Sequence, residues 1–556
     1  LDPAAVSMTG PAPWPADRTL SAAFVETLLT NPRYAAKLAE AVTLSGARVG
    51  QQVAIADATL TSKITLDRSR FDGGLEFDDT DSQKGLIFTD DGFGGPLNIR
   101  RSAFNQFWFD TSSAPELGLS NCAFNDLDIV SARIPGALSI TATKIGDGGF
   151  AMRAMNGVDN QFGPVTIDTA SIGGTTGITD SHFAGKFEFN LSTSGSEFFV
   201  GHSQFAAAAA FSVSDFDKMA AITHTDFDGG VSFIGSKFEA KLVLDSDTIC
   251  LRTPTCELSF GAATLDGAVA ISNTLVNGDL NADVVTAASS VYLSKDGNAQ
   301  HPLFVSAKFA SFARDVGIDA TTLGELDLGN TIIAGGLLFS NQPPDGLWTK
   351  NGGLDLENAD IGVLYNSDWA WPGQLDLDGV RFGWMGVDAP AKLDHGCIEG
   401  GWSRWLRNIA YSPQPYDELA QYLRQSGKAH AADCVLETSE TRAISQMAPL
   451  RRVIYWTYGE VAGFGFAPEL AFKYVVLFVL IGIAVLKATG QGVKNGMPIG
   501  MFYSFSQLIP LVSLDRRFEE IELTGFARWY FYLHKIAGYV IAIFITAALS
   551  SLSGKG

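Results

Sequence analysis

Apolar residues recur along this chain every eleven positions. Residues 203–246 divide into four blocks, "SQFAAAAAFSV", "SDFDKMAAITH", "TDFDGGVSFIG" and "SKFEAKLVLDS". Phe205, Phe216, Phe227 and Phe238 hold the third place of each block, and Phe211, Ile222, Phe233 and Leu244 the ninth. An eleven-residue period also suits a helix in a right-handed supercoil, at about 3.67 residues per turn. The residue types decide against that helix. The blocks are rich in Gly, Asp, Ser, Thr and Phe, which favour turns and strands. Pairs such as Val231 and Phe233, or Leu242 and Leu244, are two apart and share one face of a strand.

The register extends through Val49, Leu60, Phe71, Phe93 and Phe104, with Ser82 in the missing place, and returns in "LGELDLGNTIIAGGLLF", "GGLDLENADIGVLY" and "GQLDLDGVRFGW". A single repeat cannot bury its own apolar face, so the repeats must stack. The expected fold is mainly β: a right-handed β-helix over 46–385, a rod of roughly 70 Å at about 4.8 Å per coil. The segment 1–45 holds "RTLSAAFVETLLTNPRYAAKLAEAV", a helical pattern with Phe24, Leu28 and Leu29 on one face, expected to cap the open first coil. A helical collar is expected over 386–468, with Ser412 and Pro413 as a start signal and Gly427 between two helices.

Residues 469–556 read as a transmembrane hairpin. "LAFKYVVLFVLIGIAVL", Leu470 to Leu486, carries only Lys473, placed to snorkel. "IAGYVIAIFITAALSSL", Ile536 to Leu552, is uncharged and follows the interfacial aromatics Trp529, Tyr530, Phe531 and Tyr532. Lys487, Lys494, Arg516, Arg517, Arg528 and Lys535 fall on the connection, which the positive-inside rule keeps in the cytoplasm, leaving the solenoid outside. Arg451 and Arg452 oppose that orientation. Two clues support it. The sequence opens on Leu1 rather than Met, as after signal-peptide removal. "CLRTPTC" also sets Cys250 and Cys256 at the ends of a short loop, suited to a disulfide in an oxidising compartment. Cys397 and Cys434 in the collar form a second candidate pair, and Cys122 reads as a small buried hydrophobe. The expected location is the bacterial inner membrane, with the solenoid in the periplasm.

Charge narrows the partners. A net charge of −21 excludes a nucleic-acid surface, whose phosphates need basic residues, and a broad polybasic lipid patch. "FDDTD" (77–81) and "TDDG" (89–92) offer oxygen ligands for calcium, but without EF-hand spacing they read as corner residues. The sequence has no G-x-S-x-G, H-E-x-x-H, Walker loop or C-x-x-C motif. Its seven histidines lack ligand spacing; His202 and His224, twenty-two apart, are placed to stack on successive coils. No catalytic residue, metal site or cofactor is expected.

From "IGVLYNSDWAWPGQLDLDGVRF" through "SRWLRNIAYSPQPYDELAQYLRQSGKAHAADCVLETSETR" to "WTYGEVAGFGFAPELAF" and the hairpin, the succession resembles a bacterial family of pentapeptide-like β-helix proteins with two C-terminal transmembrane helices. "AAFVETLLTNPR…AVTLSGARVG" extends the resemblance over nearly the whole chain. Members are often labelled membrane-associated oxidoreductases, yet no residue here matches a flavin, nicotinamide or haem site. The hairpin, with "MFYSFSQLIPLVSLD" inside it, also resembles the two-helix pore modules of potassium channels but lacks their T-V-G-Y-G filter. The expected function is a non-catalytic, membrane-anchored scaffold of the envelope, binding an envelope protein or its own copies. The alternatives are a β-helix that binds or cleaves envelope glycans, marked by exposed aromatics beside carboxylates, and a degenerate channel-like oligomer.

Overall fold

Strand pairing in the computed structural model follows the sequence period at twice its length: Phe183 pairs with Phe205, and Phe205 with Phe227. Eleven residues are therefore half a coil. The structure describes residues 14, 16–35, 37–38, 40–155, 157–250, 256–344, 346–366, 371–387, 393–394, 397–398, 406, 409–497, 499–509 and 514–553. The chain divides into two units, Leu1–Asp388 and Ala389–Gly556.

The first unit is a parallel β-solenoid of about 15 turns. Its interior is the predicted one. Phe205, Phe211, Phe216, Ile222, Phe227, Phe233, Phe238 and Leu244 are all buried. Identical positions on successive coils bring their rings face to face, with Phe183–Phe205 centroids at 4.5 Å, Phe205–Phe227 at 4.7 Å and Phe216–Phe238 at 4.7 Å. Insertions leave the stack without breaking it: pairing jumps by 27 residues from Leu138 to Val165, and again from Val231 to Leu258.

A polar column runs inside each corner. Asp180, Leu191, His202, Val213 and His224 lie eleven apart in the left-handed region, with φ of 48–52°. Such a backbone costs a residue with a side chain on the order of 1 kcal/mol or more. The next residue inward offsets that cost. The N–H groups of Ser181, Ser192 and Ser214 donate to the hydroxyls of Ser203, Ser214 and Ser236 one coil on, at 3.3, 3.2 and 3.0 Å. Each hydroxyl is free to donate in turn, as Ser192 does to Asn190 O at 2.8 Å and Ser203 to Gly201 O at 2.9 Å. Buried donors and acceptors are thus matched coil by coil.

The acidic clusters belong to this corner. Asp79 and Asp90 are left-handed, and Asp91 is buried with its carboxylate accepting from Ser69 N at 2.7 Å and Thr89 N at 3.1 Å. Asp247 and Asp296 occupy equivalent places, accepting from Thr225 N and Thr274 N at 2.8 and 2.9 Å. Burial drives Asp91, Asp247 and Asp296 up to about 8. Cys122 fills the column of the other corner, with Ser102, Ser192 and Ser214, its thiol 3.3 Å from both Ile99 O and Ser120 O. It is a serine substitute rather than a plain hydrophobe.

At the N-terminus the structure corrects the expected helix. Ser21 starts α1 (Ala22–Thr30) by accepting from Phe24 N, and Pro32, which lacks an N–H, restarts the chain as the single turn α2 (Pro32–Ala35). Ala22 and Val25 are the buried residues of α1, whereas Phe24 is 51% exposed. The helix packs on strand Val53–Leu60, where Glu26 Oε1 accepts from Ala54 N at 3.0 Å. "AVTLS" leaves the helical pattern, and Ala41–Ser45 pairs with Lys63–Asp67. The solenoid therefore starts before residue 46, and its last strand is Arg381–Val387.

In the second unit, strands Leu393–Asp394 and Cys397–Ile398 pair antiparallel ahead of the helices, so the collar is not wholly helical. α3 (Gln414–Gln425) and α4 (Ala429–Ile444) flank Gly427 as expected, and buried Tyr416 donates to Leu406 O at 3.0 Å. α5 (Pro449–Ala462), α6 (Leu470–Ala488), α7 (Gln491–Lys494), α8 (Met501–Leu508) and α9 (Gly525–Ser553) follow.

Candidate functional site

Outward residues of the solenoid form columns as regular as the core. Glu257, Asp279, Phe304 and Glu325 pair in one column; Ser259, Asn281, Ser306, Asp327 and Asp355 make the next. Their inward neighbours Leu258, Leu280, Val305 and Leu326 are buried, which turns the columns away from the core, although Ser259 and Asp327 are themselves buried. Between the columns lies a cleft of about 320 Å³. Phe304 forms its apolar element. A Cβ on Gly324 would meet the Phe304 ring at 2.5 Å, so the ring lies against bare backbone and remains 40% exposed.

The polar side of the cleft is held in place. Lys308 Nζ lies 2.6 Å from Asp327 Oδ2, while Asp283 Oδ1 accepts from Ser306 Oγ and Lys308 N, both at 2.7 Å. On the adjoining coil, burial raises Asp355, and the stacked carboxylates Asp327 and Asp376 push the same way. A ring face bordered by fixed carboxylates can hold a ligand with one apolar face and several hydroxyl or ammonium donors. The sequence reading did not single out these residues. Alternation in "GELDLG" marks outward carboxylates, but only coil stacking sets Phe304 between Asp279 and Glu325.

Cys250 and Cys256 are joined, with Cα atoms 5.6 Å apart. The bridge closes the loop that interrupts the repeat. Cys434 is also disulfide-bonded, on the helix that packs beside strand Cys397–Ile398; the side chain of Cys397 lies outside the described residues. Thiol labelling of unreduced native protein is expected to modify neither Cys250 nor Cys256; reduction should expose both. Because the loop is short, reduction should cost no more than about 3 kcal/mol. Labelling of both without reductant would remove the argument for an oxidising compartment.

The expected anchor residues divide. Trp529 and Tyr532 are 71% and 49% exposed, as interfacial anchors would be. Tyr530 is not such an anchor. It points inward, its hydroxyl 3.1 Å from Nδ1 of buried His534, whose Nε2 lies 3.0 Å from Ser504 O. A neutral histidine protonated at Nε2 satisfies both contacts and ties α8 to α9. In the sequence His534 is only one of seven scattered histidines. The aromatic group also lies inside α9 rather than before it, so Arg528 and Lys535 belong to the helix and not to the connection. Lys473 lies exposed near the start of α6.

His202 and His224 stack at 5.1 Å on successive coils, and no group of three or more metal-ligating side chains occurs among the described residues. Comparison with family models, curated proteins and solved structures gives no match.

Proposed function

We propose that this chain is a membrane-anchored, non-catalytic binding scaffold of the bacterial envelope, its solenoid right-handed, capped by α1 and held on the periplasmic side. One observation carries the anchoring. α6 and the Gly525–Ala547 part of α9 are each long and apolar enough to cross a membrane, yet only 22% of each apolar window is buried within the protein. A core helix of a soluble protein would be mostly covered. Here Phe472, Leu480, Leu533, Ile536 and Ile543 are left exposed, which suits lipid contact. The Cys250–Cys256 bridge supports the periplasmic side.

Alkaline carbonate washing of native membranes is expected to leave the full chain in the pellet. Release into the supernatant would overturn the anchoring. A second reading, binding of an envelope glycan, is favoured by the Phe304 cleft, where an exposed ring lies beside Asp279 and Glu325. Carboxylates of that column would accept sugar hydroxyl hydrogen bonds while the ring covers the apolar face of a pyranose.

A further inference from the structure

α4, α5 and α6 converge on a cleft of about 540 Å³ that adjoins the start of the first apolar helix. Each helix contributes residues from a single face. Glu437 comes from α4, Trp456 and Glu460 from α5, and Lys473 and Tyr474 from α6, with Phe464 from the turn between α5 and α6. That turn is strained. Phe464 holds φ at 52°, a left-handed conformation rare for a bulky side chain, and its ring lies where a Cβ on Gly459 would approach to 2.3 Å. Strain of this kind is retained where the surroundings fix it.

The charges here are not spent on one another. No ion pair or side-chain hydrogen bond joins Lys473 to Glu437 or Glu460 among the described residues. Half of the lining is apolar, including Ile444, Leu470 and Leu477. Burial also holds the Glu437 carboxyl above its ordinary range, with His430 pulling the other way. The ligand must therefore carry a cation, an anion and an apolar continuation, and be present where a membrane span begins.

We propose that this cleft binds the headgroup of a phospholipid with a primary ammonium, of the ethanolamine type; the proposal rests on the membrane-anchored reading above. Glu437 and Glu460 accept the ammonium N–H groups, the Trp456 ring covers the same cation, Lys473 meets the phosphodiester, and the apolar wall follows the glycerol and acyl chains. A choline headgroup keeps the positive charge but has no N–H to donate, so the carboxylates discriminate between the two. Loss of charge-assisted hydrogen bonds worth about 1.5 kcal/mol corresponds to about tenfold in binding.

The test uses the full chain in nanodiscs of phosphatidylcholine, with and without phosphatidylethanolamine, and counts lipids retained after gentle release by native mass spectrometry. Phosphatidylethanolamine should be enriched about tenfold over phosphatidylcholine. E437Q with E460Q should bring the two to parity, while K473M should lower retention of both. Excess soluble glycerophosphoethanolamine should compete only weakly, since it lacks the acyl chains; full competition would show that the ligand is the free headgroup and not a lipid. Parity in the unaltered protein would overturn the proposal. Failure to enter nanodiscs at all, with release by carbonate, would instead overturn the anchoring on which it rests. Far-UV circular dichroism of each variant separates loss of lipid from loss of fold.

Discussion

Replacing Phe205 with alanine is expected to lower the unfolding free energy of the solenoid by about 3 to 5 kcal/mol. The ring is held between Phe183 and Phe227, almost parallel to both at 8° and 11°, and meets Phe187 edge-on with centroids 5.4 Å apart. Neighbouring coils cannot collapse into the vacancy, because their positions are set by the backbone ladder on every side. The loss thus includes both transfer energy and a residual cavity. Phe309→Ala is the matched control: that residue sits at a left-handed corner and is 64% exposed, so its loss should stay within about 0.5 kcal/mol. Urea midpoints of the detergent-solubilised full chain, followed by circular dichroism at fixed pH, measure both. In a stacked array the damage can remain local, and new proteolytic cleavage near residue 205 would report it. Equal effects of the two substitutions would mean that the inward register is wrong.

The second large effect is on pH dependence. Asp91, Asp247 and Asp296 are raised to about 8 by burial, against about 3.9 in an unfolded chain. Between those values the folded state holds protons that the unfolded state has lost. The stabilisation is therefore complete below about pH 4 and is lost as pH rises through about 8, with a flat response above. Each group contributes on the order of several kcal/mol at most. Urea midpoints should fall from pH 5 to pH 8.5. Asp67 and Asp245, lowered by hydrogen bonds from Arg68 and Ser272 respectively, act in the opposite sense but only as pH falls below the usual carboxylate range. Replacing all three buried aspartates with threonine, the residue that Thr225 and Thr274 place in the same column, should flatten the profile. A midpoint that rises across this window in the unaltered chain would contradict the assignment.

The inward phenylalanines were legible because burial imposes its own periodicity on residue type. The corner was legible only in part, through the acidic clusters and the His202–His224 pair. Ser203, Ser214, Thr225 and Ser236 open the four blocks, and Val213, His224, Gly235 and Ser246 close them. The first set alternates between the two internal hydroxyl columns and the second is the left-handed set, but the mixture of Val, His and Ser gives no turn signature. Helix limits were less legible. Leu28 and Leu29 suggest an apolar face for α1, yet the strand beneath accepts Ala22 and Val25, and only the first coil determines that choice. At α9 the charges of Arg528 and Lys535 concealed a helix that begins at Gly525. The Phe304 and Trp456 clefts depend on residues distant in sequence, and no single-segment pattern contains them.

The 22-residue pairing also limits how such a chain can change size. Excising one full coil would return every column to its own kind, Phe227 over Phe183 if the coil of Phe205 were removed, and shorten the stack by about 4.8 Å. Excising eleven residues would keep the left-handed corners aligned, since they recur twice per coil, but would send the chain out on the opposite side and exchange one set of faces for another. Tandem duplication can thus move the Phe304 cleft away from the final strand in equal notches while preserving its direction. Length in this architecture is a heritable, quantised quantity.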